Sequence, residues 1–164
     1  MEARRANIIA EGLVAGVLAH LTIAVVLVLA DLFGGRWLFY TPTLMGMMLL
    51  EGGKQGCQVA PSATVLLAYT SIHLITITLF GFLGSWLLHG SQERPNLWFG
   101  ALFVFIFVAW HLPGAVLGLL GGVQECLSLW PPTLAGFAGA LVMAVYLWRS
   151  HPRLRKVLRG ERYA

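Results

Sequence analysis

The amino-acid sequence predicts an all-α membrane protein, an antiparallel bundle of four transmembrane helices with a short interfacial helix in the first outer loop. Of its 164 residues, 58% are hydrophobic and 11% are charged, whereas a soluble domain usually carries about twice that share of charged residues. Four stretches with charge-free cores are long enough to cross about 30 Å of hydrocarbon, which takes roughly 20 helical residues. Lys and Arg residues also concentrate on one side of these stretches, as is typical of a multi-pass membrane protein.

The four predicted spans cover about residues 8–32, 63–89, 96–120 and 132–149. Helices are expected because backbone polar groups in lipid must be satisfied within each segment. The fourth span follows Pro131-Pro132, a good helix-starting pair. Together the spans form a single domain. The first span, preceded by Arg4-Arg5, also resembles a signal peptide, and we interpret it as a signal anchor that stays in the membrane.

The distribution of basic residues predicts the orientation of the bundle. Lys and Arg are enriched in cytoplasmic loops, so the side with more of them is expected to face the cytoplasm of a bacterial cell. Both termini then lie inside, and the first and third connections lie outside. Nine basic residues flank the inner side and two flank the outer side: Arg4, Arg5, Arg94, Arg149, Arg153, Arg155, Lys156, Arg159 and Arg162, against Arg36 and Lys54.

Residues 150–164 form a basic cytoplasmic tail. We predict that its central part is a short helix that lies on the anionic inner leaflet or extends the fourth span. Nucleic-acid binding is not expected, because membrane topology alone accounts for the charge. The residues assigned to the membrane surface are Arg149, Arg153, Arg155, Lys156 and Arg159.

The first outer connection contains a short apolar segment. Thr41-Pro42 reads as an N-cap and first helical position, Leu44 to Leu50 follow, and Gly52-Gly53 end the segment. It is too short to span a bilayer, so an interfacial helix is predicted. Its three methionines are interpreted as apolar filler, with soft ligation of copper as the alternative: Met45, Met47 and Met48.

Both cysteines of the chain, Cys57 and Cys126, fall in predicted outer connections. The outer compartment permits disulfides, so we predict that the two residues form one. The alternative is a pair of free thiols, since sequence does not give the distance between them. No Cys-x-x-Cys motif is present, which disfavours a thiol-oxidising enzyme.

Three histidines lie at one predicted depth. His20, His73 and His111 are each nine or ten residues from the outer end of their spans, or about 14–15 Å below the outer surface. We expect all three to point into the bundle, because an ionisable group facing lipid is costly. The favoured role is hydrogen bonding between helices. The alternatives are ligation of haem b by two of them, ligation of a transition metal by all three, or a proton relay.

Other polar and small residues are given structural roles. Glu11 is expected to extend toward water near Arg4 or the C-terminal arginines. His89 and His151 read as ordinary residues of the inner boundary. Small residues four positions apart indicate close helix packing, and they are Gly12 and Gly16, Gly114, Gly118 and Gly122, and Gly136 and Ala140.

Four segments carry a family resemblance: Asp31–Arg36, Leu38–Pro42, Tyr69–His73 and Leu147–Arg155. With these segments the chain resembles a set of small uncharacterised bacterial membrane proteins with four spans. The resemblance covers most of the chain and implies the four-span architecture but no activity. His20 lies outside the shared segments.

The sequence contains no nucleophile–base motif and no glycine-rich phosphate loop, so it predicts no reaction. The favoured function is a non-catalytic accessory or structural subunit of a larger membrane complex, such as a respiratory or redox one, with other membrane subunits and lipid as partners and no cofactor. One alternative is a haem- or metal-binding electron-transfer or sensor protein that uses the intramembrane histidines. The other is a small transporter or channel.

Overall fold

A computed structural model describes residues 2–51, 57–94, 96–107, 109, 126 and 128–152 of the chain. Within these ranges the chain forms five helices and no strand, which confirms the all-α prediction for this part of the protein. The helices are α1 (Glu2–Phe33), α2 (Tyr40–Glu51), α3 (Ala63–Ser91), α4 (Leu97–Ile106) and α5 (Trp130–Ser150).

Three helical segments are long and apolar enough to cross a membrane. They are Asn7–Phe33, Ala63–Ser91 and Trp130–Ser150, with 27, 29 and 21 residues, and they coincide with the first, second and fourth predicted spans. Of the third predicted span the structure mainly describes the start, where α4 is an apolar helix of 10 residues. The chain is therefore compatible with a multi-pass membrane protein.

Helices α1 and α3 pack so closely that their backbones touch. A Cβ atom added to Gly81 would lie 2.3 Å from the carbonyl oxygen of Gly12, and one added to Gly16 would lie 2.5 Å from the Cα of Thr78. Gly12 in turn faces the backbone of Phe82. The predicted Gly12–Gly16 face is thus used within the chain, and Gly81 is its unpredicted counterpart. These pairings make α1 and α3 antiparallel.

Helix α5 also packs against α1. Gly139 lies against Ile23 and the carbonyl of Ala19, and the side chain of Leu147 reaches Gly84 of α3. Because α5 is antiparallel to α1, as α3 is, α3 and α5 run in the same direction. The end of α3 and the start of α5 therefore lie at opposite ends of the bundle. The predicted small residues Gly136 and Ala140 are buried in α5, while Gly114, Gly118 and Gly122 lie outside the described residues.

Helix α4 returns along α3 in the opposite direction. Gly90 lies against the side chain of Leu97, and Gly84 contacts Phe105. Ala101 is the buried residue of α4, and the opposite side of the helix is exposed. Helix α4 thus begins at the end of the bundle where α3 ends.

The exterior of the bundle is apolar, and several hydroxyl groups on the helices are satisfied locally. Leu21, Leu79 and Phe137 are each more than half exposed, as expected of side chains that face lipid. Five hydroxyls donate to the carbonyl four residues earlier in their own helix, so they need no water at that position. They belong to Thr22, Thr76, Ser91, Thr133 and Ser150.

Helix α2 lies against α3 and α1. Residues Thr41 to Met48 are all buried, and a Cβ on Gly46 would clash with Val65 of α3 at 2.7 Å. Its three methionines are buried, with the Sδ of Met45 accepting a hydrogen bond from the Tyr69 hydroxyl at 3.1 Å. The short apolar helix expected from the sequence is present, and it is longer and more buried than expected.

Candidate functional site

The structure brings together two of the three histidines that the sequence places at one depth. The Nδ1 atoms of His20 on α1 and His73 on α3 are 2.9 Å apart, a hydrogen bond in which one nitrogen donates and the other accepts. Their ring centroids are 5.1 Å apart. The ring of Tyr69 stacks on His73 with 5.7 Å between centroids. His111 lies outside the described residues.

The distance between the two histidines bears on the cofactor hypothesis. Two imidazoles that ligate one haem iron from opposite faces have nitrogens about 4 Å apart, because each iron–nitrogen bond is about 2 Å. At 2.9 Å the Nδ1 atoms bond each other directly. This geometry suits an interhelical hydrogen bond, and cofactor binding by His20, His73 and His111 stays a prediction.

A buried carboxylate holds the start of α2. Asp31, at the end of α1, has no exposed surface. Its Oδ2 accepts a hydrogen bond from the Thr41 backbone N–H at 2.8 Å, and its Oδ1 accepts one from the Thr41 hydroxyl at 2.5 Å. The Nε of Arg36 lies 3.7 Å from Oδ1, and its guanidinium lies 5.2 Å from the centroid of the Tyr40 ring.

This arrangement corrects the predicted N-cap. Helix α2 begins at Tyr40, so Thr41 is inside the helix and its hydroxyl is a donor to Asp31 rather than an acceptor from the backbone. The carboxylate of Asp31 supplies the acceptor that a free helix N-terminus requires. A residue ten positions earlier does the capping, which a search for local cap motifs does not detect.

Replacing Asp31 by Asn should lower the free energy of unfolding by about 2 kcal/mol, because two hydrogen bonds to a buried charged acceptor are weakened. Unfolding in a mixed detergent titration would measure the loss. Thr41→Val should cost less, since the backbone N–H of residue 41 still bonds Asp31. Equal stability of Asp31→Asn and the wild-type protein would contradict the capping role.

The predicted cysteine pair lies at disulfide distance. The sulfur atoms of Cys57 and Cys126 are 2.04 Å apart and the Cα atoms 5.0 Å apart, across 69 positions of sequence. The bond joins the segment before α3 to the segment before α5. The Tyr40 hydroxyl donates to the carbonyl of Cys57 at 3.2 Å, so α2 is held against the same end of the bundle.

At the opposite end of the bundle, three ionisable side chains converge from α1, from α3 and from the residue that follows α5. Oε2 of Glu11 on α1 lies 3.7 Å from Nδ1 of His89 on α3 and 3.5 Å from Nε2 of His151. The two imidazole nitrogens are 3.0 Å apart. The Ser85 hydroxyl donates to the same Glu11 oxygen at 3.3 Å. We name Glu11, His89 and His151 the inner triad.

The inner triad corrects the role expected for His151. Glu11 contacts His89 and His151, and its side chain is 22% exposed. The side chain of Arg4 and the arginines from Arg153 onward lie outside the described part of the structure, so the expected approach of Glu11 to an arginine stays a prediction. His151 is 2% exposed, so it is a core residue and not an ordinary boundary one. Sequence analysis missed the cluster, although all three residues sit at the inner ends of predicted spans.

The predicted basic tail is described only at its start. Arg149 is exposed on the last turn of α5. Arg153, Arg155, Lys156 and Arg159 lie outside the described residues, so the expected surface helix stays a prediction.

Comparison with known proteins gives no relative. The chain matches no protein-family model, no curated protein and no solved structure.

Proposed function

We propose that the chain crosses the bacterial cytoplasmic membrane four times, with both termini in the cytoplasm. Helices α3 and α5 run in the same direction, so the chain between them must return from one end of the bundle to the other. Helix α4 begins that return, antiparallel to α3, and residues 96–120 have the length to complete it. The excess of Lys and Arg assigns the α4 start to the inner side.

In this topology α2 lies at the outer face as an interfacial helix. It is joined through Tyr40 to the disulfide end of the bundle. Near its end, Leu49 and Leu50 are about half exposed at 46% and 51%. This exposed apolar end suits the boundary between headgroups and hydrocarbon.

As to activity, the chain is a non-catalytic accessory subunit of a larger membrane complex. Two pairs of polar side chains bond between the described segments, as His20 bonds His73 and Asp31 bonds Thr41. Such pairs fix the relative positions of the helices. The bundle is therefore rigid, as a structural subunit requires.

The exposed face of α4 is the observation that carries this proposal. Phe99 and Phe103 are 71% and 67% exposed, and Leu102 and Ile106 complete the same helical face. Large flat aromatic rings offer much contact area at low entropic cost, which favours packing against another protein helix. The face thus fits a transmembrane helix of another subunit.

Native electrophoresis of mild-detergent extracts would test the proposal. The wild-type chain should migrate in a larger assembly with a partner in fixed ratio. Phe103→Leu, which keeps the position apolar but removes the ring, should release the chain from that assembly. Phe137→Leu on α5, at 56% exposure, is the matched control and should leave it intact. Migration of the wild-type chain at its own size would overturn the proposal.

A further inference from the structure

The inner triad has the composition and spacing of a metal site. Its ligand atoms are one carboxylate oxygen and two imidazole nitrogens, a set that suits divalent first-row transition metals. The distances between these atoms are 3.0, 3.5 and 3.7 Å. A circle through the three atoms has a radius of about 2.0 Å, so one point lies about that far from each, close to the usual zinc–nitrogen and zinc–oxygen bond lengths.

The surrounding hydrogen bonds orient the ligand atoms. His151 Nδ1 lies 2.8 Å from the carbonyl oxygen of Leu147, and because a carbonyl only accepts, that nitrogen carries the proton. The Nε2 of His151 therefore presents its lone pair to the cluster, an arrangement typical of metal-binding histidines. The Ser85 hydroxyl, which is fully buried, fixes the carboxylate of Glu11 in the same way.

Without a metal, the cluster is organised around a hydrogen-bond donor. The Nδ1 of His89 lies 3.0 Å from His151 Nε2 and 3.1 Å from the carbonyl oxygen of Ser85. Both of these atoms are acceptors, so a proton on Nδ1 of His89 serves both. A cation can replace that proton if the His89 ring takes the tautomer with its proton on Nε2, which leaves the Nδ1 lone pair facing the metal.

We propose that Glu11, His89 and His151 bind one divalent transition-metal ion of the Zn²⁺ class at the inner end of the bundle. Three protein ligands leave a fourth coordination position for water or a small ligand. The side chains of Glu11 and His89 are 22% and 13% exposed, so the site is reachable from that end. The ion joins α1, α3 and the end of α5, and the site is independent of the accessory-subunit function.

Zinc binding by the full-length, tag-free protein in detergent, stripped with a chelator, tests the site. Elemental analysis after dialysis against Zn²⁺ should give one ion per chain. Glu11→Gln keeps the size and the Ser85 contact, yet it should weaken binding more than about 100-fold. Ser85→Ala should weaken it about 10–100-fold, as is usual for a residue that orients a ligand. The matched control is Glu93→Gln, since Glu93 is an exposed carboxylate in the connection after α3. This variant should bind zinc like the wild-type protein.

A second measurement separates loss of the site from loss of the fold. Zn²⁺ should raise the unfolding temperature of the wild-type protein and of Glu93→Gln, because the ion binds only the folded state. It should not raise that of Glu11→Gln. X-ray absorption of the zinc-bound protein should show two imidazole ligands. Equal zinc affinity of the wild-type protein and Glu11→Gln, or no saturable binding by the wild-type protein, would overturn the proposal.

Discussion

Replacement of both Cys57 and Cys126 by Ser should lower the free energy of unfolding by about 4 kcal/mol, the largest loss expected for this chain. The bond closes a loop of 69 positions, and removing it returns the conformational freedom of that loop to the unfolded state. Unfolding in a mixed detergent titration under non-reducing conditions would measure the change. The main effect should be on the unfolded chain, so helix content before the transition should stay near that of the wild-type protein.

Reductant provides the control for the disulfide prediction. A reducing agent should destabilise the wild-type protein by about the same amount and should leave the double Ser variant unaffected. A wild-type protein that unfolds at the same detergent fraction with and without reductant would show that the bond contributes no stability.

Gly81→Ala should cost about 3 kcal/mol, the upper part of the usual range for overpacking. The new Cβ would lie 2.3 Å from the carbonyl oxygen of Gly12 and 3.0 Å from the backbone nitrogen of Gly16. Both are backbone atoms, so no side-chain rotation relieves the clash and α1 must move away from α3. The same movement should separate His20 from His73. Thermal unfolding in mild detergent would measure the loss.

A glycine on α4 is the matched control for this substitution. A Cβ on Gly100 would have its nearest neighbour, a side-chain atom of Leu87, at 3.8 Å, which is ordinary contact. Alanine also favours helix over glycine by up to about 1 kcal/mol. Gly100→Ala should therefore be neutral or slightly stabilising. Equal effects of the two substitutions would show that the backbone contact at Gly81 does not limit stability.

The spans could be predicted because lipid imposes a simple rule on the sequence. A helix that crosses hydrocarbon must be about 20 residues long and nearly free of charge, and residues 63–89 and 132–149 satisfy this closely. Their neighbours in the bundle could not be predicted in the same way. Gly81 and Ser85 are small residues four positions apart. This spacing indicates that some helix packs closely there, but it does not identify Gly12 as the contact.

Asp31 shows why the structure at the disulfide end of the bundle was predicted incompletely. Capping motifs are recognised when the acceptor precedes the helix directly, whereas Asp31 belongs to the previous helix and reaches Thr41 through a tight turn. That turn contains Gly35 with φ of +68°, a conformation that glycine adopts without strain. The Gly34-Gly35 pair after Asp31 was the available signal that the chain reverses there.

The inner triad was not predicted, because only His20, His73 and His111, near the middle of the predicted spans, were compared in depth. The comparison that paired His20 with His73 also applies to the inner boundary, where Glu11, His89 and His151 all lie close to the ends of their spans. Glu11 lies far from both histidines along the chain, so no local sequence motif indicated that the three residues are close in the structure. Polar residues that share a depth on antiparallel helices are candidates for contact at any level of the bundle.

The shared direction of α3 and α5 has a consequence for biosynthesis. In the proposed four-span topology, Cys57 precedes α3 and Cys126 precedes α5, so both lie on the same side of the membrane only after the chain between α3 and α5 has crossed the bilayer. A chain whose insertion stalls before that step keeps its two thiols on opposite sides of the membrane. In this topology the oxidised form shows that the chain between α3 and α5 has crossed the bilayer, and a non-reducing gel would distinguish it from the reduced form by its mobility.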